Sequence, residues 1–66
     1  MKRYIISIDK SSGWTREGVL KSLKRLDPKL TVDPEGNPII AWIRTSITLE
    51  RLRTHVGIDD ALESCG

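Results

Sequence analysis

An α+β domain in which strands and helices alternate along the chain is predicted from three observations. Residues 3–9 place Tyr4, Ile6 and Ile8 on one side and Ile5 and Ser7 on the other, the period-two pattern of a strand. Val19, Leu20, Leu23 and Leu26 recur instead at helical spacing. A second strand-like run, residues 39–44, follows a stretch rich in Pro, Gly and Asn, which is hairpin chemistry.

The elements follow in order. The first strand covers Arg3 to Asp9, and Lys10-Ser11-Ser12-Gly13 turns the chain. The first helix has Glu17 four residues before Lys21, a favourable pairing on a helix surface. Pro28 stops it, because the ring has no N–H to continue the ladder and forces the preceding residue out of helical geometry. Leu30-Thr31-Val32 reads as a short strand, and residues 33–38 as its hairpin connection to the third strand. That third strand is apolar on both faces, Ile39/Ala41/Ile43 and Ile40/Trp42, with Arg44 ending the second. Thr48 is a helix N-cap, with Ile47 and Leu52 placed as a hydrophobic staple. Leu49, Leu52 and Val56 form the expected buried stripe of the second helix, and Gly57 its C-cap. Ala61-Leu62 would lead into a short fourth edge strand.

The resulting order, βαββα(β), predicts one ferredoxin-like domain over residues 1–66, with two helices on one face of an antiparallel sheet. Ile5, together with either Ile40/Trp42 or Ile39/Ala41/Ile43, then lies on the opposite face. An apolar patch of that kind marks an interaction surface. The expected partner is a second copy, packed sheet to sheet through Ile5, Ile40 and Trp42.

Composition limits the function. The chain has 66 residues, 38% apolar and 30% charged, with three aromatics and no Phe, so its core is aliphatic and thin. Eleven Lys and Arg against nine Asp and Glu leave +2, which permits nucleic acid without demanding it. One cysteine, Cys65, excludes an internal disulfide and, with no Cys or His cluster, a zinc site of ordinary spacing. A cytoplasmic, reducing setting is expected. The apolar run after Met1-Lys2-Arg3 ends too soon for a secretory leader, and nothing approaches a membrane span.

The stretch Ala41-Trp42-Ile43-Arg44-Thr45-Ser46-Ile47-Thr48-Leu49-Glu50-Arg51-Leu52-Arg53-Thr54-His55 joins a Trp-containing strand with a basic end to an N-capped, Arg-bearing helix. Asp59-Asp60 follows, and Arg3-Tyr4-Ile5-Ile6-Ser7-Ile8-Asp9 closes a first strand with Asp. Together these motifs resemble the small SinR-like proteins, whose fold is shared with the smaller adaptation subunit of CRISPR systems and with VapD. The resemblance implies a homodimer acting on or holding RNA or DNA. It also implies a first-strand carboxylate, here Asp9, that holds a divalent metal such as Mg2+ in a nuclease site. The chain departs from the larger relatives in having little sequence after residue 62. Residues 47–57 also look like the end of the second helix of subtilisin propeptides. That family implies a protein-binding module without chemistry, whose tail, Glu63-Ser64-Cys65-Gly66, enters a protease cleft.

Each candidate residue also has a plainer role. Asp9 before Lys-Ser-Ser-Gly suits an ordinary turn, since its carboxylate accepts from the following amides. His55 has no titratable partner at a defined spacing. Cys65 has no basic neighbour to activate it. Lys21, Lys24 and Arg25 share a helix face or its flank, with Lys10, Arg16 and Lys29 near its ends; the set would contact phosphates or simply be solvated. Trp42 fits the sheet interface better than base stacking, and Trp14 fits packing at the start of the first helix. Residues 33–38 lack the carboxylate spacing of a calcium loop.

Overall fold

The computed structural model describes residues 1–64. Its elements are β1 (Lys2–Ile8), α1 (Arg16–Leu26), β2 (Thr31–Asn37), β3 (Ile40–Thr45), α2 (Leu49–Thr54) and β4 (Ile58–Glu63), with a 3-10 turn at Lys10–Ser12. The expected α+β class is present: the four strands form one antiparallel sheet in the order β2-β3-β1-β4. The fourth strand, left open by the sequence, runs six residues and pairs with β1 from Tyr4–Glu63 to Ile8–Ile58.

Strand alternation divides the sheet into two unlike faces. Tyr4, Ile6 and Ile8 of β1, Ala41 and Ile43 of β3, and Ile58 and Ala61 of β4 are buried in one cluster with Val19, Leu20 and Leu23 of α1 and Leu52 of α2. Both helices therefore cover that face. The choice for β3 is settled by this packing: Ala41 and Ile43 point inward, while Ile40 and Trp42 are half-buried on the opposite side.

Several expectations are corrected. The β2–β3 connection is shorter than residues 33–38: β2 continues to Asn37, and Pro38-Ile39 makes the turn, with the Asn37 carboxamide accepting from the Ile39 amide at 2.9 Å. The sequence hid this because Asp33-Pro34-Glu35 bulge out of register between Val32 and Gly36. In α2 the C-cap is His55, and the helix ends before Val56. Helical spacing thus fails at Val56, which is 63% exposed. In α1 Leu26 is half exposed, and the stripe of Leu20 and Leu23 continues four residues on at Asp27, only 8% exposed.

Asp27 is satisfied by four donors. Its Oδ2 accepts from the Thr45 hydroxyl at 2.6 Å, the Ser46 amide at 3.1 Å and the Ser46 hydroxyl at 3.3 Å, and its Oδ1 from the Lys29 amide at 3.1 Å. Thr45 Oγ1 in turn accepts from the Ile47 amide at 3.1 Å. One carboxylate thus joins the end of α1 to the end of β3 and the segment entering α2.

The two edge strands are blunted in different ways. β2 carries Pro34 and the bulge. On β4 the Ala61 amide donates to the Asp60 carboxylate at 2.8 Å, and the Ala61 carbonyl accepts from Arg53 Nε at 2.9 Å. Both backbone groups of Ala61 are therefore occupied by side chains.

The Thr45 hydroxyl, followed by the Ser46 amide, holds the Asp27 carboxyl below its ordinary value of 3.8, against the opposing effect of burial. A depressed native value contributes stability above the unfolded value, and that contribution is lost as pH falls through the folded one. The denaturant midpoint of the wild type should therefore fall more steeply below pH 3.8 than that of Asp27→Asn, which should start lower at neutral pH. Parallel pH profiles for the two proteins would show that the carboxylate is not coupled to folding.

Candidate nucleic-acid interface

The cationic residues are positioned by α1. Thr15 caps the helix, its Oγ1 accepting from the Gly18 amide at 3.1 Å. With Val19, Leu20 and Leu23 inward, Lys21, Lys24 and Arg25 are all exposed on the outer face, where the sequence put them. Among the described residues the ion pairs within 4.0 Å are Lys2–Glu63, Arg3–Asp33 and Arg53–Asp60. Lys10, Arg16, Lys21, Lys24 and Arg25 therefore have no carboxylate partner, and the expected Glu17–Lys21 contact is not formed.

Lys10 and Arg16 lie apart from the other three, in a groove of about 670 Å³ between the start of α1 and the β2–β3 hairpin. Trp14, Glu17, Pro34 and Pro38 also line it. Arg16 is fixed by its Nε, which donates to the Ile40 carbonyl at 3.3 Å.

Trp14 is seated against Gly57. A Cβ at Gly57 would lie 2.7 Å from Trp14 Cγ and 2.8 Å from Val19 Cγ2, and one at Gly18 would lie 3.5 Å from Trp14 Cε3. Gly57, expected as a helix cap, instead leaves room for the indole in a left-handed turn at φ +90°. His55 meets the same indole edge-on, with ring centroids 6.0 Å apart. Its Nδ1 faces the Val56 carbonyl, so the proton belongs there, and Nε2 accepts from the Ser22 hydroxyl at 2.9 Å. This pair ties α2 to α1 and lies outside the groove lining.

Asp9 occupies the turn role. Its Oδ1 accepts from the Ser11 amide at 3.0 Å and from the Ser11 hydroxyl, capping the 3-10 turn. Among the described residues no three His, Cys, Asp or Glu side chains come together. Asp9 therefore belongs to no cluster of three such side chains among the described residues.

On the open sheet face Ile5 stands opposite Trp42 and Ser7 opposite Ile40. Leu62, which sequence reasoning missed, faces Ile5 from β4 and is 52% exposed. Its place depended on whether β4 formed. The Arg3–Asp33 ion pair, at 2.7 Å, joins β1 to β2 and so crosses the β3 strand between them. Cys65 and the end of the tail that would enter a protease cleft lie outside the described residues.

Alanine at Gly57 must displace Trp14 or Val19 and adopt a left-handed backbone. Gly57→Ala should cost about 1–3 kcal/mol in denaturant unfolding; unchanged stability would mean that the indole seat is soft. Among the described residues no helix is long and apolar enough to cross a membrane. No protein-family model, curated protein or solved structure matches the chain.

Proposed function

We propose that this chain is a small nucleic-acid-binding protein that acts as a homodimer on the ferredoxin-like plan. The observation that carries the binding is the outer face of α1: Lys21, Lys24 and Arg25 are exposed together and without carboxylate partners among the described residues. Unpaired surface cations are free to replace the counterions of a phosphate backbone, which makes binding favourable and salt-dependent. The fold assignment is supported by the split pairing of β1 between β3 and β4, with both helices on one face.

The dimer is supported by the patch of Ile5, Ile40, Trp42 and Leu62 on the uncovered face. With both edges blunted, association through that face is the route left to the sheet. Of the charges bordering it, Arg3 is already paired with Asp33 and Asp60 with Arg53, so the patch itself and not its rim supports the contact. A sheet-to-sheet dimer turns its two α1 faces outward on opposite sides, and association therefore leaves both free for nucleic acid. Cleavage would be an added property of that dimer, drawing on Asp9 and a divalent cation such as Mg2+.

Lys21→Glu combined with Lys24→Glu should weaken binding to a labelled RNA or DNA oligonucleotide more than tenfold at low salt and flatten the salt dependence by about two counterions. Anisotropy titration measures both, and equal affinity in the variant would rule out this face. Sedimentation equilibrium should give twice the 7.5 kDa chain mass, and Trp42→Asp should return the monomer. A wild type that stays monomeric at high concentration would rule out the dimer.

A further inference from the structure

We propose that the groove between the start of α1 and the β2–β3 hairpin holds one nucleotide of a single strand, with its base against Trp14 and its phosphate between Lys10 and Arg16. The inference builds on the nucleic-acid reading of α1 and adds the kind of strand. The groove combines two chemistries that a nucleotide also combines. Trp14, Pro34 and Pro38 are flat or rigid apolar walls, and Lys10 and Arg16 are cations without a carboxylate partner among the described residues. Its volume, about 670 Å³, is within the range of small-ligand sites. A base in a duplex is already stacked, whereas a single strand can give one up to an aromatic platform.

The site is also held in place before any ligand arrives. Gly57 leaves the slot in which Trp14 sits, and the half-buried indole also lines the groove. The Arg16 Nε is taken by the Ile40 carbonyl, while its terminal nitrogens have no hydrogen-bond partner among the described residues. Gly36 passes beside that guanidinium, where a Cβ would come within 3.4 Å of Arg16 Nη2 and 2.6 Å of the Ile40 oxygen. Glu17 is the one acid on the lining. Being an acceptor, it suits a base that presents an amino group, such as cytosine, over one that does not.

The test uses Trp42→Phe, in which Trp14 is the remaining indole. A labelled oligo-dC strand is titrated while anisotropy and Trp14 emission are read together. Emission should be quenched with the same midpoint as the anisotropy, more tightly for oligo-dC than for oligo-dT, and a duplex of equal length should leave it unchanged. Lys10→Glu, at an exposed position, should raise the midpoint about tenfold. The reciprocal Trp14→Leu protein keeps the test open should Trp42→Phe fail to fold: its Trp42 emission should stay flat while affinity drops about tenfold. Binding without quenching, quenching by duplex as strong as by single strand, or full affinity in Trp14→Leu would each overturn the groove and leave the α1 face standing. No anisotropy change at low salt would overturn both.

Discussion

The buried carboxylate of Asp27 is the constraint on which the remaining architecture depends. It sits where the apolar stripe of α1 would place another leucine, and it takes its donors from Thr45, Ser46 and Lys29. A buried acceptor is costly unless satisfied, and its donors must therefore be presented together. That requirement fixes where α1 ends relative to β3 and how the chain leaves β3 for α2. The outer face of α1, with Lys21, Lys24 and Arg25, is directed away from the sheet by the same attachment. A thin aliphatic core gains specificity from a polar tie that only one arrangement satisfies.

At the other end of α1 the fit depends on missing side chains. Gly57 lets Trp14 and Val19 close over the α2–β4 connection, and Gly36 lets the hairpin backbone approach the Ile40 carbonyl to which Arg16 is bonded. Trp14 is therefore both a lid on the core and a wall of the groove. Its two aspects are compatible because an indole is large enough to bury one part and present another.

Association is channelled by what the sheet denies. Pro34 and the bulge interrupt β2, while Asp60 and Arg53 occupy the Ala61 backbone groups at the middle of the β4 edge. Strand addition is discouraged on both sides, and four apolar residues outside the core, Ile5, Ile40, Trp42 and Leu62, are gathered on one face. Arg53 shows how little of this is local: it belongs to α2 yet satisfies a carbonyl eight residues on.

The sequence by itself determined the α+β class, the strand alternation of β1, the stop at Pro28 and the cap at Thr48, because these depend on near neighbours and on the period of the backbone. It also placed Lys21, Lys24 and Arg25 on one helix face, since helical spacing needs no partner to be read. Asp27 was missed, because the expected stripe ended at Leu26 and nothing nearby announced Thr45 and Ser46 as donors to a carboxylate there. Which row of β3 faces the helices, whether β4 forms, and the meeting of Lys10, Trp14 and Arg16 with the hairpin were decided by tertiary structure. Each requires residues distant in the chain to be packed together, and the bulge in β2 and the end of α2 at Thr54 break the simple periods from which those contacts would otherwise be inferred.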